Sequence, residues 1–138
     1  MTFEDAQEFV TARVILWDKL VPNPTVTGAF LNLDFENRLF TPPAEGVWAR
    51  MVIQNAGSII ACLSDRIHVR DFGLITFQVF DRQGAGTKQM NKFMDGLRDW
   101  LQGYSVSGLE ILQGDKGVGS PDSNGFYQIN LRFEYRAD

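Results

Sequence analysis

The residues best suited to nucleophilic or acid–base chemistry are few, because the chain has one histidine, His68, and one cysteine, Cys62. A catalytic triad or a histidine-containing metal site needs such side chains beside further partners. His68 instead stands between Arg66 and Arg70 in an alternating segment, where a solvated strand residue is the simpler interpretation. Cys62 lies in the apolar run Ile60–Leu63, which is typical of a small buried side chain rather than of a reactive thiolate.

Two glycine-rich segments resemble ligand-binding loops only in part. Gly84–Lys88 has glycines followed by Thr and Lys, but a phosphate-binding loop needs two glycines separated by four residues and then Lys before Ser or Thr. A turn from strand to helix is the better interpretation. Asp115, Asp122 and Asn124 could contact calcium, yet their spacing is not that of an EF-hand loop. We therefore predict no catalytic site, no metal site and no cofactor.

The composition is that of a globular protein that does not bind nucleic acid tightly. The 138 residues are enough for one domain, spanning 1–138, with its own core. The 17 acidic residues outnumber the 13 basic ones, which disfavours the phosphate-driven binding that clustered Lys and Arg provide. A single cysteine excludes an internal disulfide and indicates a reducing compartment. The chain also lacks a secretion signal and an apolar run of about 20 residues, so we expect a soluble, intracellular protein with no membrane contact.

Two segments show the spacing of amphipathic helices. The first begins with a capping-box pattern, Thr2 with Asp5, and ends before Pro22. The second begins after Thr87, which can cap it, and ends at Gly103. Apolar residues recur every three or four positions in both helices, namely Phe3, Ala6, Phe9, Val10, Val14 and Trp17 in the first, and Met90, Phe93, Met94, Leu97, Trp100 and Leu101 in the second.

Alternation of apolar and polar residues predicts strands in the middle of the chain. Val47–Gln54 is one candidate, and the Asn55–Gly57 turn signal closes it. Arg66–Asp71 and Leu74–Phe80 also alternate, and the two residues between them allow either a hairpin or one bent strand with a glycine kink.

Two further segments lack a clear assignment. Residues 23–46 are rich in turn formers, and only a short strand near Phe30–Phe35 is expected there. Such a long irregular stretch is often functional or bound to a partner. Residues 56–66 are more apolar than a plain loop, and both a strand extension and a contact arm remain open.

The C-terminal part of the chain completes the predicted sheet. Val106–Leu112 is a short strand, and a glycine- and Asp-rich loop spans Gly114–Gly125. The inner face of the last strand carries Tyr127, Ile129, Leu131, Phe133 and Tyr135. The order α, β, β, β, α, β, β predicts an α+β fold, with one mostly antiparallel or mixed β-sheet and with the N-terminal helix and the central amphipathic helix packed on one face.

Several segments together resemble a known family. Phe35–Arg50 resembles the pattern Asn-x-x-Phe-x-Pro-Pro, then Trp-x-Arg, at the entry to a strand. Gly73–Phe80 leads through Gly84–Thr87 into the amphipathic helix, and Gly125–Leu131 lies near the C-terminus. In this order and spacing, over roughly residues 3 to 135, the chain is similar to the small tail terminator (tail-completion, minor tail) proteins of long-tailed bacteriophages.

The resemblance implies a structural virion protein that forms a homo-oligomeric ring, expected to be a hexamer, on the finished tail tube. Such a ring ends tube polymerisation and provides the joining surface for the head, so the implied partners are the tail tube protein and the head–tail connector protein. The genome DNA passes through the lumen without specific binding, which suits a chain of net charge −4. The implied location is the tail or neck of the virion, with assembly in the host cytoplasm.

Ring formation requires subunit contacts, for which the sequence offers seven candidate residues. The basic row Arg66, His68 and Arg70 is either a solvated face or a charged docking surface in an acidic assembly. The other candidates are Ile59, Ile60, Asp115 and Lys116. Two alternatives stay open: another neck subunit, such as a head-completion protein, and a small ligand-binding or enzymatic domain that uses the loop from residue 114 to 125.

Overall fold

Two helices and seven strands make up the described part of the chain. The computed structural model describes residues 3–20, 33–35, 47–63, 67–84, 86–122 and 124–138. In chain order the elements are α1 Phe3–Leu20, β1 Leu33–Phe35, β2 Trp48–Leu63, β3 Ile67–Arg82, α2 Lys88–Leu101, β4 Ser105–Val106, β5 Leu109–Lys116, β6 Ser120–Pro121 and β7 Phe126–Ala137.

The strands form one mixed sheet in the order β1-β2-β3-β7-β5-β4, and β6 pairs with β7. β1 runs parallel to β2, and the other recorded pairs are antiparallel. The two long central strands, β2 and β3, have 16 residues each. The predicted α+β fold with one mostly antiparallel sheet is confirmed.

Both helices cover the same face of this sheet. Alternate residues of the strands are buried on that face, as their period of two requires. They join the apolar stripes of the helices in one core, and the ring of Trp17 on α1 meets Phe93 on α2 edge-on at 5.2 Å. The fully buried members contributed by α2, β3 and β7 include Met90, Met94, Leu97, Leu101, Ile75, Phe77, Leu131 and Phe133.

Arg13 joins the two helices through its contacts with aromatic rings. Its guanidinium carbon lies 3.7 Å from the ring centre of Trp100 and 4.2 Å from that of Tyr104. The Nη2 of Arg13 donates to the Trp100 carbonyl at 3.2 Å, and the indole Nε1 of Trp100 donates to the Arg13 carbonyl at 2.9 Å. The helix pair is therefore held by two reciprocal hydrogen bonds and a cation–π stack as well as by apolar burial.

Two glycines allow aromatic rings of β7 to cross neighbouring strands. Gly73 lies opposite Tyr135, and a Cβ at Gly73 would stand 2.7 Å from the Tyr135 ring and would overlap the Gln54 carbonyl oxygen. Gly114 lies opposite Phe133, and a Cβ there would stand 2.5 Å from that ring. Any larger residue would displace the rings from the core.

The predicted turn at Asn55–Gly57 is wrong, because β2 continues through it to Leu63. Asn55 Oδ1 accepts a hydrogen bond from the Gly57 N–H at 3.2 Å, and the register with β3 shifts between these residues. The turn-forming residues thus make a β-bulge inside a strand. Of the open alternatives, residues 56–63 are a strand extension, and β3 is one continuous strand through Phe72 and Gly73 rather than a hairpin.

The predicted strand Val106–Leu112 is confirmed in part: Val106 and residues 109–112 are in strands, but Ser107 and Gly108 reverse the chain between β4 and β5. Both residues have positive φ, 48° and 93°, which is the conformation of a tight two-residue hairpin turn. The predicted loop 114–125 is shorter than expected, because β5 runs to Lys116 and β6 lies within it.

The predicted helix ends have mixed outcomes. Thr87 stands at the N-cap of α2, but its side chain makes no capping hydrogen bond there. Gly103 has φ +80° just after the helix, as a C-terminal glycine should. The predicted strand near Phe30–Phe35 is present as β1 at Leu33–Phe35. Thr2, the proline-rich segment 36–46 and residues 21–32 lie outside the described residues.

Candidate assembly surface

The pairing of β2 with β3 extends beyond the rest of the described sheet. β7 pairs with β3 only from Asp71 to Arg82, and β1 pairs with β2 only at Ala49–Met51. The β2–β3 pairing, however, continues to Leu63 opposite Ile67. Among the described residues, 58–63 and 67–70 therefore form a two-stranded segment, which we call the ribbon.

The ribbon has an unusually apolar sequence for such an element. Of its ten residues, the seven apolar ones are Ile59, Ile60, Ala61, Cys62, Leu63, Ile67 and Val69. Consecutive residues of a strand belong to opposite faces, so both faces of the ribbon have apolar positions. An isolated two-stranded hairpin is at best marginally stable in water. Contact with another surface would therefore stabilise a two-stranded segment of this composition.

The structure places four of the candidate interface residues, Ile59, Ile60, His68 and Arg70, on the ribbon. Ile59 lies opposite Arg70, Ile60 lies opposite Val69, and His68 lies opposite Cys62. The side chains of Ile59, Ile60 and His68, and the whole of Arg66, lie outside the described residues.

Arg70 forms an ion pair at the root of the ribbon. Its Nε donates to Asp138 Oδ1 at 2.8 Å and its Nη2 donates to Asp138 Oδ2 at 3.3 Å. The backbone N–H of Asp138 donates to the Gly108 carbonyl at 3.0 Å, which attaches the end of β7 to the β4–β5 turn. The hydrogen bond from Arg70 lowers the pKa of the Asp138 carboxyl, and the same bond raises the pKa of Arg70. The charge of Arg70 is thus balanced within its own chain.

An apolar groove lies beside this ion pair, on the sheet face opposite the helices. Its volume is about 460 Å³, and its walls include Ala56, Phe72, Leu74 and Leu112, with Glu134 also contributing. Phe72 is 38% exposed although it is a large apolar residue, and its ring lies across Gly57 on β2. We call this feature the Phe72 groove.

Asp115 and Lys116 lie away from the ribbon. Lys116 Nζ forms an ion pair with Asp95 at 2.6 Å and donates to Asn91 Oδ1 at 3.3 Å, both on α2. Lys116 lies opposite Leu131 on β7. Leu131 is six residues from Ala137, where β7 ends at the root of the ribbon, and this separation is about 20 Å at about 3.3 Å per residue. Asp115 lies opposite Arg132 in a polar cleft of about 530 Å³. The six candidates within the described residues therefore separate into a ribbon group of four and a distant pair.

An aromatic cluster on the open sheet face was not anticipated from the sequence. Trp48 and Phe80 stack at 4.3 Å with an interplanar angle of 18°, and Phe126 meets both edge-on. Trp48 is 3% exposed and Phe80 is 6% exposed, so they form a second, smaller buried cluster. The only sequence signal for it is that Val47 to Met51 is apolar on both alternating faces, apart from Arg50.

No three of the His, Cys, Asp or Glu residues in the described ranges are grouped so that they could hold a metal ion. No helix in the described part is long and apolar enough to span a membrane.

Comparison with known proteins supports the fold. No protein-family model matches the chain, and no curated protein matches it. Four chains of solved structures match. One of these, whose name states no function, has a TM-score of 0.72 at 18% sequence identity, and the alignment covers 100% of this chain and 97% of that chain. This similarity shows that the fold occurs, as a whole, in another protein.

Proposed function

We propose that this chain is a structural subunit of the tail terminator type, whose copies form a ring on the tail tube of a long-tailed phage particle. The ordered sequence motifs support the family. The ribbon is the structural observation that carries the proposal, because an apolar two-stranded extension at the edge of a soluble domain is a surface for another protein. The ring would end tube growth and receive the head-side connector.

A ring requires that the contact be head-to-tail. In such a contact the ribbon of one copy meets a different surface of the next copy, and each copy receives a ribbon in turn. A head-to-tail contact of this kind generates a closed ring when the rotation between copies closes. Six copies are the expected number, and the net negative charge of the chain would let DNA pass through the lumen without adhering.

Light scattering coupled to size-exclusion chromatography tests the ring. A hexamer has a mass of about 94 kDa, six times the 15.6 kDa of one chain. Negative-stain images should show rings with a central opening, and the rings should bind the ends of purified tail tubes. A monomer at every concentration, together with no binding to tubes, would contradict the proposal.

Deletion of the gene in a phage that encodes this chain separates a terminator from another neck subunit. Loss of a terminator should give over-long tails, because nothing ends tube growth. Loss of a connector or head-completion protein should leave tails of normal length that are not joined to heads. Over-long tails are the expected result.

A ligand-binding domain is tested by a thermal-shift screen. Any ligand that binds the folded state alone raises the unfolding temperature. Nucleotides and divalent cations are expected to leave that temperature unchanged. A reproducible rise with one of them would favour the ligand-binding alternative.

A further inference from the structure

The ribbon and the Phe72 groove are two apolar features of the same strand pair. Ala56 and Phe72 line the groove, and residues 58–63 and 67–70 continue from them into the ribbon. One feature projects from the body and the other is recessed into it. Phe72 in the groove is exposed and the ribbon is apolar in sequence, and burial of apolar surface is worth roughly 25 cal/mol per Å².

A chain cannot fill its own groove with its own ribbon. Ala56 in the groove and Cys62 in the ribbon are six residues apart on β2, about 20 Å at about 3.3 Å per residue. Because both residues belong to one extended strand, the ribbon leads away from the groove. The occupant must come from another molecule.

Three charged residues line the groove, namely Arg70, Glu134 and Arg136, and both arginines are already paired. Arg70 at its edge is paired with Asp138, and Arg136 in its wall is paired with Glu110 at 3.1 Å. A nucleic acid or an acidic peptide would have to compete with these carboxylates. Residues 58–63 and 67–69 contain no Asp, Glu, Lys or Arg. The ribbon therefore matches the groove in both polarity and charge.

The dimensions also agree with a contact between copies. Six residues of β2 span about 17 Å, and two strands are about 10 Å wide with their side chains, so the two faces together offer several hundred Å². A stable interface buries about 800 Å² on each partner. The ribbon supplies only part of that area, so the surface around the groove must supply the rest.

We infer that the ribbon of one copy docks in the Phe72 groove of a second copy of this chain. The inference rests on the proposed ring and names the contact that builds it. Each subunit gives a ribbon to one neighbour and receives a ribbon from the other.

The native cysteine provides a direct test, because Cys62 lies in the ribbon. In Ala56→Cys a second thiol is placed in the groove at an exposed position. A short bis-maleimide should then link Cys62 of one copy to the new thiol of the next, giving a ladder of covalent oligomers that ends at the ring. Within one chain the two thiols are too far apart for the reagent.

Three controls define the result. Ala12→Cys places the same thiol at an exposed position of α1, away from the groove, and is expected to give no ladder. Unsubstituted protein and the double variant Ala56→Cys/Cys62→Ser should also give none. A ladder from Ala12→Cys instead, or dimers of unsubstituted protein through two copies of Cys62, would overturn the docking. If light scattering shows a ring but Ala56→Cys gives no ladder, the docking is rejected and the proposed ring stands. If light scattering shows a monomer, both the docking and the ring are rejected.

A charge placed on each face of the ribbon gives a second readout. The double variant Ile59→Glu/Ile60→Glu changes two consecutive strand positions, so both faces receive a carboxylate. It should shift the protein from ring to monomer at concentrations where unsubstituted protein is assembled. Far-ultraviolet circular dichroism and the thermal transition check that the body stays folded, and a folded double variant that still assembles fully would contradict the inference.

Discussion

Arg70 and Asp138 close the root of the ribbon with two hydrogen bonds, of 2.8 Å and 3.3 Å. They are 68 residues apart in sequence, and the contact connects the point where β3 leaves the sheet to the end of β7. This ion pair gives Arg70 a partner within its own chain, whereas the sequence suggested either a solvated face or a charged docking surface for the basic row. Arg70 balances a carboxylate of its own chain and holds the base of the ribbon in place.

The stabilising effect of this ion pair should disappear in acid. The pKa of Asp138 is lowered by the hydrogen bond from Arg70, so the folded state binds the proton less readily than the unfolded state. The pair therefore stabilises the fold above the ordinary pKa of an aspartate and loses its effect as the pH falls below about 4. Asp138→Asn should lower the melting temperature at neutral pH, and its difference from unsubstituted protein should shrink towards pH 3.

The matched control for that titration is Asp99→Asn, which removes one exposed negative charge from α2. It should not reproduce the pH-dependent difference. A difference for Asp138→Asn that is constant from pH 7 to pH 3 would show that the ion pair is not its source.

Charge reversal at Arg70 should disturb the ribbon root within the subunit as well as any contact between subunits. Arg70→Asp places two carboxylates together, and the repulsion should increase hydrogen exchange at the amides of the ribbon root and of the β4–β5 turn. The exchanged pair Arg70→Asp/Asp138→Arg restores opposite charges and should recover most of the protection. If the double variant exchanges as fast as the single one, the orientation of the pair matters more than its charge.

Gly73→Ala should strongly destabilise the fold. The added methyl group would overlap the Gln54 carbonyl oxygen and press on the Tyr135 ring, and overpacking of this kind costs about 1–3 kcal/mol. Urea unfolding monitored by tryptophan fluorescence measures the loss.

Gly96→Ala is the matched control, since Gly96 lies inside α2 and its added Cβ would meet Trp17 at an ordinary 3.6 Å. It should stabilise the protein by about 0.5–1 kcal/mol through better helix propensity. Equal effects of the two substitutions would contradict the close strand crossing at Gly73.

Arg13→Ala should lower the free energy of unfolding by about 2 kcal/mol, because it removes the stack on Trp100 and Tyr104 and one hydrogen bond to the Trp100 carbonyl. Arg98→Ala removes an arginine of α2 whose ion pair with Asp95 is largely exposed, so it should change stability by less than about 0.5 kcal/mol. Chemical denaturation of both variants at one ionic strength gives the comparison. A larger loss of stability for Arg98→Ala than for Arg13→Ala would contradict the role of Arg13 in holding the two helices together.

The elements that were predicted well are those whose signal is local. The stripe from Met90 to Leu101 predicts α2 because a helix brings residues three and four apart onto one face, whatever surrounds it. The alternation from Ile129 to Tyr135 predicts β7 for the same kind of reason. The spacing of Ala6, Val10, Val14 and Trp17 likewise predicts the buried stripe of α1.

The strand boundaries were predicted less well because turns and bulges use the same residue types. Asn55 to Gly57 form a bulge because β3 continues alongside them, whereas Ser107 and Gly108 form a turn because β4 and β5 pair across them. Whether such residues reverse the chain depends on the partner strand, which a local pattern does not contain.

The sequence by itself determined the α+β class, both helices, the strand character of the central segments and the apolar content of residues 59–63. Those properties depend on residues close together in the chain. Only the tertiary structure decided that this apolar segment extends past β7 as the ribbon, that Arg70 is paired with Asp138, and that Lys116 belongs to α2 rather than to the ribbon surface. These relationships join residues that are 21 or more positions apart, as between Asp95 and Lys116, and the pairing register of the sheet together with the packing of α2 on it brings such residues together.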